Sequence, residues 1–307
     1  MTSVMSTFKT KALALVVVIS LLGLAACGST SSSGTITVTS KLDSESQLLA
    51  EMYSLLLQKA GYTVNLKLAF GDTPFNFQAI TNGDTDIYPE FTATGLNTLK
   101  ITSAHDPEQD YQAVKQGFEK NYKITWLDKS PLNDGYALCM KKDHAQALGI
   151  TSISDLAPKV SNLTLVSPSD GTDFVDNLQS TYHFTTKSFK QSQTVLYAVG
   201  FEAVANNQAD VAVCYTTDGS VPQQNFIFLT DDKNGFPAFN PAPIVRDAVL
   251  ANHNDIPSIL NPLAPKLTTD VSIELQKEVS DKKKAGTSSA KAVEDVAKGF
   301  LQKNGLL

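Results

Sequence analysis

Two hydrophobic periods alternate along residues 35–130. Thr35-Ile36-Thr37-Val38-Thr39 alternates polar and apolar positions, which predicts a strand. From Ser44 the period changes: Leu48, Leu49, Met52, Leu55 and Leu56 recur at helical spacing, and the run closes near Gly61. Val64, Leu66 and Leu68 alternate again. Residues 74–80 predict a short helix ending at Asn82-Gly83, and residues 84–88 a buried strand. Residues 106–121 predict a helix with Asp106 as cap and Pro107 in its first turn.

A second cycle starts near residue 131. Strands are predicted at 135–141, 163–166, 210–215 and 226–229, with helical stretches at 152–157, 172–180 and 194–206. Asp231-Asp232-Lys233-Asn234-Gly235 breaks the pattern, Pro237, Pro241 and Pro243 punctuate an extended segment, and residues 256–307 are mostly helical. The β-α-β-α order predicts an α/β fold with largely parallel sheet, in two lobes. We expect residues 35–130 plus 238–307 to form lobe I and residues 131–237 lobe II, with the tail covering lobe I. Ligands in such folds sit outside the carboxyl ends of strands, here in the cleft between lobes.

The first 34 residues read as an address. Lys9 and Lys11 precede an apolar run of 13 residues, 12–24, too short for a spanning helix, which needs about 20. It ends in Leu24-Ala25-Ala26-Cys27, which resembles a bacterial lipobox, where the peptide is cut before a cysteine that is then lipidated. Residues 1–26 are therefore expected to be a signal peptide, Cys27 the lipidation site and residues 27–34 a flexible polar tether. Such a chain would sit on the outer face of a membrane. Cys139 and Cys214 would remain in an oxidising compartment, either as a disulfide or as two small buried hydrophobes; the pattern leaves both open.

Composition narrows the function. A formal charge of −6 argues against a nucleic-acid partner. Arg246 is the only arginine, so no multi-arginine anion clamp exists. His105, His144, His183 and His253 show no metal-ligand spacing. No nucleophile elbow and no Gly-rich phosphate loop occur, so neither catalytic residues nor a cofactor site is assigned. A lipid-anchored surface hydrolase is the alternative from another class; it would need a nucleophile–base pair, which the sequence does not offer.

Rings at predicted strand ends and turns carry more information. They occur in Tyr88-Pro89-Glu90-Phe91-Thr92, Asn133-Asp134-Gly135-Tyr136, Tyr215-Thr216-Thr217-Asp218-Gly219 and Phe236-Pro237-Ala238-Phe239-Asn240. A quaternary ammonium has no N–H to donate, and ring faces suit it, each contributing about 0.5–2 kcal/mol. Micromolar affinity needs about 8 kcal/mol, so burial of the methyl groups and polar contacts must add to the rings.

These segments, with Thr39-Ser40-Lys41, Gly83-Asp84-Thr85-Asp86-Ile87 before the first ring motif, and Pro241-Ala242-Pro243-Ile244-Val245-Arg246 after the last, resemble the substrate-binding proteins of osmoprotectant ABC importers, the glycine betaine, carnitine and choline binding family. The resemblance runs from about residue 35 to 275. It implies the two-lobed type II periplasmic-binding-protein fold, a quaternary ammonium ligand such as glycine betaine, carnitine or choline, and ABC permease subunits as partners with a separate ATPase. It carries an aromatic cage onto Phe91, Tyr136, Tyr215 and Phe239, and polar ligand contacts onto Thr94 and Ser46. Phenylalanine stands at two positions where the family typically has tyrosine, which keeps the π face and drops the hydroxyl. That leaves open a different betaine or compatible solute in the same fold. A hydroxyl at Thr94 mildly favours a zwitterion over bare choline. Arg246 is read as a structural residue at a sheet-edge or interlobe position rather than as a carboxylate clamp.

Overall fold

The computed structural model describes residues 34–168, 171–219, 221 and 224–307. Cys27, the apolar run before it and the tether through Ser33 lie outside the described residues.

The chain runs β1 (Ile36–Thr39), α1 (Ser44–Lys59), β2 (Val64–Lys67), α2 (Thr73–Asn82), β3 (Ile87–Phe91), α3 (Thr92–Leu99), α4 (Pro107–Tyr122) and β4 (Ile124–Trp126). It continues with β5 (Tyr136–Lys141), α5 (Lys142–Leu148), α6 (Ile153–Leu156), β6 (Thr164–Ser167), α7 (Thr172–Asn177), α8 (Gln179–Tyr182), β7 (Gln191–Thr194), α9 (Tyr197–Ala205), β8 (Val211–Tyr215) and β9 (Phe226–Phe228). Then come β10 (Pro241–Arg246), α10 (Asp247–Leu250), α11 (Ile256–Leu260), α12 (Thr269–Lys284) and α13 (Ser289–Lys303).

Local chemistry sets several boundaries. The Asp43 carboxylate accepts from the Ser46 backbone N–H at 2.6 Å, capping α1 one residue before its first helical position. Asp106 accepts from the N–H groups of Glu108 and Gln109, both at 2.9 Å, and Pro107 follows in the first turn of α4. Ser152 and Asp155 form a reciprocal capping box on α6.

Two five-stranded sheets share one plan. The first has the order β2-β1-β3-β10-β4, the second β7-β6-β8-β5-β9. In each, three strands run parallel and the fourth in the order is antiparallel to both neighbours: β10 against β3 and β4, β5 against β8 and β9. The sheets are therefore mixed rather than largely parallel. In the first sheet the difference comes from β10, which follows the whole second sheet in sequence yet lies inside the first, and in the second sheet it comes from β5. The prolines of β10 hide it. Pro243 sits directly opposite Pro89, so two residues without an N–H share one rung and no donor is left unpaired there. The other adjustments are smaller. Thr194 ends β7, so the helix starts at Tyr197, and β3 begins three residues later than the alternation suggests.

The helical tail packs on the first sheet. Val293, Val296, Ala297 and Leu301 of α13 join Leu48, Leu49, Met52 and Leu57 of α1 in one buried apolar cluster, together with Val38 of β1. Fully burying each such side chain contributes about 1.5–3 kcal/mol. In the second sheet Cys139 and Cys214 form a disulfide with a Cα separation of 6.1 Å, which resolves the alternative left by the sequence. Among the described residues no helix is long and apolar enough to cross a membrane.

Candidate functional site

The chain passes between the sheets twice, and the two passages are bonded to each other. The Asn133 side-chain carbonyl accepts from the Phe239 backbone N–H at 2.7 Å, and Asp134 N–H donates to the Phe239 carbonyl at 3.1 Å. The Thr216 hydroxyl donates to the Asn133 carbonyl at 2.5 Å and accepts from Gly135 N–H at 2.8 Å. A Cβ at Gly135 would lie 3.2 Å from Asn133 Oδ1 and 3.4 Å from Phe239 Cδ2, so the bare backbone there lets that ring approach. These bonds seat three rings from distant parts of the sequence side by side.

Tyr136 at the start of β5 lies opposite Tyr215 at the end of β8, with ring centroids 5.3 Å apart. Phe239, on the return passage, meets Tyr136 edge-on at 6.1 Å. Two further rings extend the group: Phe174 stacks on Tyr136 at 4.1 Å and lies 5.9 Å from Phe239, and Tyr197 lies 4.9 Å from Tyr215. The result is a row, Tyr197–Tyr215–Tyr136–Phe174–Phe239, rather than four rings around an open centre. Faces as close as those of Tyr136 and Phe174 leave no room for a trimethylammonium group between them. Space lies alongside the row instead. One cavity of about 690 Å³ borders Tyr197 and Tyr215, and another of about 690 Å³ borders Phe174.

The remaining sequence-derived positions lie on other elements. Phe91, at the end of β3, is 5% exposed and packs in the apolar cluster under the first sheet, which Phe239 also touches. The Lys41 ammonium stands 4.8 Å from its ring centroid. Lys41 is in turn bound to Glu90 Oε1 at 2.5 Å, and Glu90 also accepts from the Tyr88 hydroxyl at 2.9 Å and the Phe91 N–H at 2.8 Å. Thr94 is half-buried on α3, its carbonyl accepting from the Thr98 hydroxyl at 3.1 Å. Ser46 is fully buried in the first turns of α1, and its Oγ meets no hydrogen-bond partner among the described residues. Arg246 binds Asp86 Oδ1 through Nη2 at 2.5 Å and Nε at 3.2 Å. It closes the far end of β10, roughly 20 Å of extended chain from Phe239, and β10 lies inside its sheet rather than at an edge.

The cavity beside the tyrosines has an acidic wall of Asp43, Glu45, Asp134 and Asp218. The Tyr197 hydroxyl donates to Asp218 Oδ2 at 2.7 Å, and the Thr217 hydroxyl to Asp134 Oδ1 at 2.5 Å. Burial, and then the charge of Asp134, pushes the Glu45 carboxyl well above the usual range, against the bond from Ser272. Burial also raises Asp134, with the Thr217 bond pulling the other way.

Residues 34–303 match the family model described as the substrate binding domain of ABC-type glycine betaine transport systems. The chain belongs to this family. It is 30% identical over 283 residues to the carnitine transport binding protein OpuCC of Listeria monocytogenes, covering 89% of this chain and 88% of that one. It is 29% identical over 245 residues to the glycine betaine-binding protein YehZ of Escherichia coli, covering 76% and 80% of the two chains. The apo structure of YehZ aligns with a TM-score of 0.72 at 26% identity, over 89% of this chain and 100% of that one. A solved structure of a glycine betaine/carnitine/choline ABC transporter aligns with a TM-score of 0.75, also at 26% identity, over 88% and 99%. The fold is that of the periplasmic solute-binding proteins.

Within this family member, sequence reasoning passed over Phe174 and Tyr197. Both sit in the first turn or two of helices that follow strands β6 and β7, which is again the carboxyl end of a strand. The signal was present. It was masked because apolar residues in a helical run read as core-facing, and only the meeting of the two passages shows that these two rings join the row and border its cavities.

Proposed function

We propose that this protein captures a quaternary ammonium solute in the cleft between its sheets and delivers it to the permease of an ABC importer. One observation carries this reading: the row of five rings built at the crossing passages, with cavities of about 690 Å³ bordering Tyr197 and Tyr215 and bordering Phe174. An onium head is held by π faces and apolar contact rather than by donors. Tyr136, Tyr215 and Phe239 are assigned as cage walls, with Phe174 and Tyr197 beside them. Phe91, Thr94 and Ser46 are assigned supporting roles around the ligand. Residues 35–130 with 238–307 and residues 131–237 act as two bodies that close on the solute by hinging at the bonded passages. A lipid on Cys27 tethers the chain to the outer face of the membrane. Bond-making chemistry forms no part of this reading.

Calorimetric titration with glycine betaine, carnitine, choline and proline betaine tests it. At least one should bind in the micromolar range, and Tyr215→Ala should weaken that binding by about 1–3 kcal/mol. Absence of binding by all four at millimolar concentration overturns the reading. Radiolabelled palmitate incorporation that survives Cys27→Ser overturns the anchor.

A further inference from the structure

Away from the two passages, a hydrogen bond joins loops that belong to different sheets. His105 Nδ1 lies 2.9 Å from the Asn234 carbonyl oxygen. A carbonyl oxygen only accepts, so Nδ1 carries the proton and the imidazole donates. His105 lies in the loop between α3 and α4, two helices whose apolar residues pack with β4 and β10 of the first sheet. That loop is fixed on Asp110, a buried residue of α4: the Ser103 hydroxyl donates to its Oδ2 at 2.5 Å and the Ala104 N–H to its Oδ1 at 2.7 Å. Asn234 lies in the loop after β9 of the second sheet. There Asp231 accepts from the Gly235 N–H at 2.7 Å, from the Phe236 N–H at 2.8 Å and from the hydroxyl of Tyr182, a core residue of the second sheet's layer.

Both partners hold left-handed backbone, with φ +56° at His105 and +50° at Asn234. Residues with a side chain adopt this conformation at a cost and persist in it where their surroundings over-determine them, as at clamps and switch regions. Asp110 and Asp231 provide that restraint, one on each side. Donor and carbonyl are therefore presented to each other by two rigid loops, and their bond requires one particular separation of the two sheets.

The bond also stands beside the cavities of the ring row. His105 borders the cavity of about 690 Å³ next to Phe174 and a smaller one of about 250 Å³ next to Tyr136. Asn234 borders the smaller cavity and Gly235 the larger, and the same segment runs on to Phe239 of the row.

We propose that His105 is a positioning residue for the solute site: through the Asn234 carbonyl it fixes the two bodies at their binding separation and closes the cavity wall beside Phe174. It acts through Asn234 rather than through the solute. The proposal rests on the reading of the cleft as a solute site that closes by hinging, and goes beyond it by naming a contact outside the ring row that sets the closed state.

Two substitutions separate the bond from the backbone. His105→Gly removes the donor and accepts the left-handed conformation freely. His105→Asn returns a side-chain N–H close to the position of Nδ1, and asparagine also enters left-handed backbone readily. Small-angle scattering of the full chain without solute should give a larger radius of gyration for His105→Gly and the parent's value for His105→Asn. In calorimetry with glycine betaine, His105→Gly should bind about 5-fold more weakly, and His105→Asn within about 2-fold of the parent. Both readouts are taken on protein shown by urea unfolding to be fully folded, so a loss of stability alone moves neither. Unchanged scattering or unchanged affinity in His105→Gly, or a His105→Asn chain that behaves like His105→Gly, overturns the assignment. If the parent itself fails to bind glycine betaine at millimolar concentration, the scattering pair alone decides the assignment, and the failure falls on the quaternary ammonium reading.

Discussion

The Lys41 ammonium stands 4.8 Å from the centroid of the Phe91 ring and 2.5 Å from Glu90 Oε1. The ring thus has a resident cation supplied by the protein, fixed in place by a carboxylate that is 1% exposed. Phe91 is expected to serve the structure more than the ligand. Phe91→Ala should cost about 3–5 kcal/mol in denaturant unfolding, as large-to-small core changes do, with a smaller effect on solute affinity than Tyr215→Ala. A larger affinity loss for Phe91→Ala than for Tyr215→Ala would reverse this ranking.

The same pair predicts strong coupling. Lys41→Met leaves Glu90 charged and buried, and should destabilise by about 3–5 kcal/mol. Adding Glu90→Gln should return most of that loss. A double-mutant cycle by urea unfolding measures it, and additive single effects would show that the pair is not coupled.

Gly219 and Ile273 face each other beside the acidic cavity. A Cβ at Gly219 would fall 2.7 Å from Ile273 Cγ2, on a helix of the other sheet's layer, so the two surfaces meet there only because residue 219 has no side chain. Gly219→Ala should hold the cleft partly open and weaken solute binding several-fold while leaving the unfolding midpoint nearly unchanged. Ile273→Ala in the same chain should restore affinity; failure to restore it would place the defect elsewhere.

Glu51 makes stability depend on pH. It is 6% exposed, and burial, then the charge of Glu294, pushes its carboxyl up to about 7 against the pull of Lys291. The folded state therefore binds more protons than the unfolded state between the usual carboxylate value, 4.5, and 7, and stability falls as pH rises through that window. Glu51→Gln, uncharged throughout, should be more stable than the parent by roughly 1–3 kcal/mol at pH 8, the gain shrinking toward zero below pH 5. Thermal unfolding across pH 4–8 checks this; a gain that does not vary with pH would assign the effect to packing.

The Cys139–Cys214 bond closes a loop with a sequence separation of 75. Loop-closure entropy of that length corresponds to about 4 kcal/mol, so the Cys139→Ser/Cys214→Ser chain should lose roughly 2–4 kcal/mol in denaturant unfolding. A loss under about 1 kcal/mol would mean that the unfolded chain already keeps these strands together.

Much of the architecture was legible because it is local. A period of two or of 3.6, an Asp106-Pro107 start, and a glycine after Asn82 are readable wherever they occur, and the strands and helices they predict are present. So was membership in the family, because its motifs lie in short continuous stretches such as 83–92 and 236–246. The disulfide, the placement of β10 and the shape of the ring group were not, since each depends on which distant segments become neighbours. Pro241 and Pro243 argue against a central strand until Pro89 is seen opposite, where the missing donors coincide. Phe91, Tyr136, Tyr215 and Phe239 read alike as rings at strand ends, yet the first lies under a lysine and the others pack with Phe174 and Tyr197. The chain by itself determined the elements, their capping and the chemical type of the site's walls. Only the tertiary structure decided which rings meet and which carboxylates share a cavity, because contacts between residues far apart in sequence are set by packing of whole elements and leave no local pattern to read.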